Sequence, residues 1–126
     1  MRKSCLVLTL LLASAPALAD RLIERYVARL GPEDHFNSSG ERLSSPALIV
    51  RQDRANYHKY GVRDPEDESD SFFQNAGNRE LLQEFLDRGR TTPSAYRMIV
   101  NGQPLIRVSI YRRRGGDYVD VDVIRE

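Results

Sequence analysis

The feature that most restricts this chain is a period of two near its C-terminal end, broken by two adjacent glycines. Ile106, Val108 and Ile110 alternate with Arg107 and Ser109, and Val119, Val121 and Val123 alternate with Asp120 and Asp122. Such alternation sends apolar and polar side chains to opposite faces of a sheet. Gly115-Gly116 between the runs is hairpin-turn chemistry, since glycine reaches positive φ without steric cost. Parity tests the register: an even-length connection puts 106/108/110 and 119/121/123 on one apolar face. Tyr96, Met98 and Val100 also alternate with Arg97 and Ile99 and are followed by Asn101-Gly102, which predicts a third strand before these two. The expectation is a three-stranded antiparallel meander whose apolar face must be covered.

Three helices are expected to cover it. Leu22, Ile23, Tyr26, Val27 and Leu30 recur at helical spacing over residues 20–30, and Gly31-Pro32 stops the run. Ser45 can accept from free backbone amides, and Pro46 lacks an amide that would be unpaired anyway, so a second helix is predicted over 46–60. Asn78 caps a third over 78–88, with Leu81, Leu82, Phe85 and Leu86 as its stripe and Gly89 as its stop. The predicted class is α+β, three helices packed on one face of the meander, in ααα-βββ order.

The N-terminal stretch has a basic start (Arg2, Lys3), an apolar run from Cys5 to Ala13 and small residues ending in Ala17-Leu18-Ala19. That is the layout of a cleaved secretory signal, with the cut before Asp20, and it predicts a periplasmic or secreted protein. Residues 20–126 are then expected to form one small α+β domain. The sole cysteine leaves with the signal, so neither a disulfide nor a cysteine-based metal site is expected. No later segment approaches the ~20 apolar residues of a membrane-spanning helix. Losing Arg2 and Lys3 moves the net charge from +1 to about −1, which argues against bulk attraction to nucleic acid or acidic membranes. No cofactor is expected.

Candidate chemistry is sparse. The histidines are His35, beside Asp34, and His58. Either could serve a periplasmic hydrolase together with a carboxylate such as Asp34 or Asp53. No GxSxG elbow surrounds a serine, and no glycine-rich phosphate loop is present. The acidic run Asp64, Glu66, Asp67, Glu68 and Asp70 lacks the ligand spacing of a calcium-binding EF-hand loop and reads as a solvated loop. On a helix over 46–60, Ile49, Val50, Tyr57 and Tyr60 share an arc and Asp53 falls inside it, while Arg51, Arg54 and His58 lie to one side, toward water. Asp53 and Asn56 are therefore expected to be structural polar groups, Asp53 held by an arginine or a tyrosine hydroxyl from a neighbouring element.

The outer face of the predicted sheet carries Leu105, Arg107, Ser109, Tyr111, Tyr118, Asp120, Asp122 and Ile124. Tyrosine and arginine are the residues that protein interfaces concentrate. Arg107, Tyr111, Tyr118, Asp120 and Asp122 are accordingly expected to bind a protein or an envelope component. Arg112-Arg113-Arg114 reads as a charged hairpin tip that keeps the edge soluble. The competing readings are the hydrolase and a structural protein without a specific ligand.

Overall fold

The computed structural model describes residues 20–126, so the predicted signal segment, residues 1–19, lies outside the described residues. Among the described residues the fold is α+β, with four α-helices and a three-stranded antiparallel sheet. Strand β1 is Arg21–Arg29, β2 is Leu105–Arg112 and β3 is Tyr118–Arg125, and they lie side by side in that order. The helices are α1, Pro46–Ala55; α2, Ala76–Glu80; α3, Leu82–Arg88; and α4, Pro93–Asn101. Among the described residues no helix is long and apolar enough to cross a membrane.

The hairpin has the shared apolar face its parity demands, across a six-residue connection, residues 112–117. Ile106, Val108 and Ile110 face Val123, Val121 and Val119, and Gly115 and Gly116 take positive φ in the connection. The third strand differs from expectation. Residues 96–100 belong to α4, whose N-cap Thr92 accepts from the Ala95 amide at 3.1 Å ahead of Pro93. A threonine cap followed by proline outweighs a short alternation, because the cap satisfies amides that would otherwise be unpaired. Asn101-Gly102 consequently ends a helix and turns no hairpin: the Gly102 amide donates to the Met98 carbonyl.

The strand that completes the sheet is β1, in the segment expected to be the first helix, so the chain begins with a strand and the ααα-βββ order does not hold. A nine-residue helix is marginal by itself. Pairing along the free side of β2 satisfies the β1 backbone and buries Tyr26 and Ala28 completely. The helical stripe arose because Ile23 sits at a register shift between Leu22 and Glu24, which moves the alternation out of phase.

One core joins these elements. Tyr26, Ala28, Ile106, Val108, Ile110, Val119 and Val121 from the sheet cluster with Ile49 and Val50 of α1, Leu82, Phe85 and Leu86 of α3, and Ile99 of α4. Each fully buried valine or isoleucine is worth about 1.5–3 kcal/mol of transfer free energy.

Both outer edges of the sheet are occupied. On β3, the Val121 amide donates to Thr91 Oγ1 at 2.9 Å and the Arg90 amide donates to Asp120. On β1, the Val27 amide donates to Glu68 Oε1 at 2.7 Å, the Arg29 amide donates to Asp67 Oδ1 at 2.8 Å, and the Glu68 amide donates to the Val27 carbonyl. The acidic run, expected to be a solvated loop, thus lends its carboxylates as acceptors to an edge strand. Arg29 completes the attachment with paired bonds to Glu66.

Candidate functional site

Three groups of polar residues stand out: an arginine-centred cluster inside the fold, a histidine–aspartate corner, and the outer face of the sheet.

The internal cluster begins in α1. Its N-cap is Ser45, and it runs into a π-helical turn, Asn56–Tyr60, that ends at Gly61 with φ +69°. The wider turn departs from 100° per residue, so an ideal projection misplaces the residues beyond α1. Asp53 is 1% exposed, inside the packed face as projected. Arg54, expected toward water, is fully buried. Its Nε donates to Asp53 Oδ2 at 2.7 Å, and its Nη1 donates to Asp70 Oδ1 at 2.9 Å and to the Glu68 carbonyl at 3.0 Å. The guanidinium lies 4.1 Å from the Tyr26 ring centre and 4.6 Å from that of Tyr57. Arg63 also packs on Tyr57, 4.0 Å from its ring centre. The acidic segment 66–70 folds over this side of α1, which is why Arg54 never reaches solvent.

Burial works against the charge of Arg54, while Tyr26, Asp53 and Asp70 favour it, and the outcome is a guanidinium held firmly protonated. Burial also pushes the Asp53 carboxyl well above the usual carboxylate range, against the pull of Arg54. The Tyr26 hydroxyl is raised for the same reason. Among the described residues, the Tyr26 hydroxyl and Arg54 Nη2 are the buried side-chain atoms without a hydrogen-bond partner. His58 joins the cluster at its rim, with Nε2 2.7 Å from Asp70 Oδ1. The carboxylate at His58 is therefore Asp70, not Asp34 or Asp53.

The second histidine is engaged differently. His35 is 2% exposed, with Nδ1 2.8 Å from the Gly31 carbonyl oxygen and Nε2 2.9 Å from that of Ile99. Both ring nitrogens face backbone acceptors, which leaves neither to serve a substrate. Asp34 beside it accepts from the Gly31 amide and from Asn56 Nδ2, each at 2.9 Å. Burial pushes its carboxyl up to about 6 against those two bonds. Asn56 also accepts from Gln52 at 2.9 Å, so it links α1 to the 3-10 turn Pro32–His35. Among the described residues, no group of three or more histidine, cysteine, aspartate or glutamate side chains could hold a metal ion.

On the outer sheet face, Arg107 lies opposite Asp122, Ser109 opposite Asp120, and Tyr111 opposite Tyr118. None of these six side chains belongs to the main core cluster, although Tyr118 is itself buried. They are not equally accessible. Tyr118 is 3% exposed: its ring stacks on Tyr111 at 4.9 Å, Arg113 lies 4.8 Å above it, and its hydroxyl donates to Asp20 at 2.8 Å. That bond, together with burial, raises the hydroxyl's pKa. Ser109 is buried beneath Arg25, whose Nε donates to it. Asp120 is half-buried and bonded to Arg90. Arg107 and Tyr111 are half-buried and Asp122 is exposed. Among the described residues neither Arg107 nor Asp122 takes part in an ion pair, although they face each other across the ladder.

The face therefore divides into a supporting set (Ser109, Tyr118, Asp120) and an available set (Arg107, Tyr111, Asp122). Sequence reasoning brought these residues together through the period of two. It missed Arg54 and Asp70, because nothing local shows that residues 66–70 return to α1. No known family model, curated protein or solved structure matches the chain.

Proposed function

We propose that the chain is an exported, non-catalytic binding protein, periplasmic or secreted, whose outer sheet face recognises a partner protein. The observation that carries this reading is the pair Arg107 and Asp122, adjacent in the ladder yet each without an ion-pair partner among the described residues. Half-buried Tyr111 lies farther along the same face of β2. A cation, a carboxylate and an aromatic edge on one flat surface suit a partner that offers the complementary charges. The groups a hydrolase would draw on are engaged elsewhere: His35 by two carbonyls, His58 by Asp70, and Asp53 by Arg54. Export rests on the signal-like leader, and the lone cysteine within that leader agrees with a mature chain free of thiols.

The test compares tagged wild type with Arg107→Glu and Tyr111→Ser, which touch the available set and leave Tyr118 in place. Partner retention from an envelope fraction should fall more than about tenfold in the variants, the range of an interface hot spot. Thermal unfolding should move little for Arg107→Glu, whose side chain lies outside the core, and by the equivalent of about 0.5–1.5 kcal/mol for Tyr111→Ser, which loses its stack on Tyr118. Equal retention by the folded variants would reject the sheet face as the binding surface.

A further inference from the structure

A groove lies on the helical side of the molecule, and no strand residue lines it. It holds about 400 Å³ between α1, the loop at residues 37–43 and α2, within the size range of small-molecule sites. Arg51, Lys59 and Arg79 line it against a single carboxylate, Glu80. None of the three cations forms an ion pair among the described residues. The groove is thus locally positive on a chain whose net charge from residue 20 onward is about −1.

Arg79 makes the case. It is only 9% exposed, and its Nη1 donates to the Phe73 carbonyl at 2.7 Å and the Gln74 carbonyl at 3.1 Å. Those carbonyls orient the guanidinium but supply no countercharge. A buried arginine elsewhere in this fold, Arg54, has two carboxylates. An almost fully buried cation without a carboxylate is costly, and an anion in the groove would offset that cost. Arg51 and Lys59, both exposed, line the same groove. Tyr60, 52% exposed, supplies an aromatic wall.

We propose that this groove binds a phosphate-bearing small molecule, with Arg79 as the fixed anchor and Arg51 and Lys59 as closing contacts. Three cations facing one carboxylate leave a surplus that suits a dianion, and a phosphate monoester presents that charge in a form the arginine fork matches. The ring of an aryl or sugar phosphate would lie against Tyr60.

Inorganic phosphate, phenyl phosphate and succinate are titrated separately into the purified protein at matched ionic strength with chloride, monitored by backbone amide NMR shifts. Saturable shifts at residues 37–38, 51–60 and 76–80 are expected for both phosphates, tighter for the phenyl ester. Arg51→Ala and Lys59→Ala, at exposed positions, should each weaken binding about threefold to tenfold while the spectrum stays folded. Arg79→Met should abolish it, and this variant is read only if its unliganded spectrum is native. Shifts no larger than those from chloride, or unchanged affinity in the Arg51 and Lys59 variants, would overturn the site. Tighter binding of succinate than of phenyl phosphate would overturn its assignment to phosphate.

Discussion

Arg54 concentrates the chemistry of the folded state in one side chain. It is shielded from water, gripped by Asp53 and Asp70, and packed against the rings of Tyr26 and Tyr57. Its partners come from three parts of the chain: its own helix, the acidic segment, and β1. Removing Arg54 leaves Asp53 and Asp70 buried without their cation, whereas removing Asp53 leaves Arg54 still paired with Asp70. Arg54→Met should therefore cost about 3–5 kcal/mol in chemical denaturation, and Asp53→Ala less, because Asp70 stays paired with Arg54. The double variant should cost less than the two singles added together, because it strands neither member of that pair. A strictly additive double variant would mean that the 2.7 Å contact contributes nothing to stability.

Between elements, the decisive contacts are made by backbone and by residues chosen for shape. Gly89 ends α3 where the chain passes β3, and a Cβ there would collide with the Val119 carbonyl oxygen. Its φ of −85° is open to any residue, so the requirement is space, not backbone conformation. Gly89→Ala should push the segment off the β3 edge, loosening the Thr91–Val121 and Arg90–Asp120 bonds. A loss of about 1–3 kcal/mol is expected from this overpacking, with faster amide exchange at Val121. Unchanged exchange there would show that the edge does not depend on this approach. On the opposite edge, Glu68 and Asp67 satisfy β1 amides with side-chain oxygens, so the sheet is held on both flanks by loops.

For the molecule as a whole, pH dependence is set in part by Asp34. Its folded pKa of about 6 lies above the ordinary 3.8 because burial disfavours the carboxylate. The folded chain therefore takes up a proton on acidification before the unfolded chain does. The stabilisation from this group is complete below about pH 3.8 and is lost as pH rises through 6, a total of about 3 kcal/mol. Between pH 7 and pH 5 the wild type should gain roughly 1 kcal/mol relative to Asp34→Asn, which cannot titrate. Denaturation curves at the two pH values measure this, and parallel behaviour of the two proteins would refute the assignment. The variant should also be less stable at both, since its amide cannot accept from both Gly31 and Asn56.

The local grammar of the chain determined much of this protein. Alternation and Gly115-Gly116 located the β2–β3 hairpin and its apolar face, since parity fixes which side chains share a face, while the pairing of Ile110 with Val119 across a longer connection was decided by the fold. Ser45-Pro46 located α1, because capping depends on neighbours in sequence. Asp53 was recognisable as a carboxylate inside an apolar arc, and it is buried there. Short segments with two possible periods were decided elsewhere. Residues 21–29 carry both a helical and an alternating pattern, and the open side of β2 selected the strand. The same holds for charge: nothing within residues 51–58 distinguishes Arg54 from Arg51. The return of residues 66–70 over one side of α1 buries Arg54, and Arg51 is left facing a groove. Hydrogen-bonded turns and strand parity are properties of contiguous residues, whereas desolvation depends on which distant segment closes over a side chain.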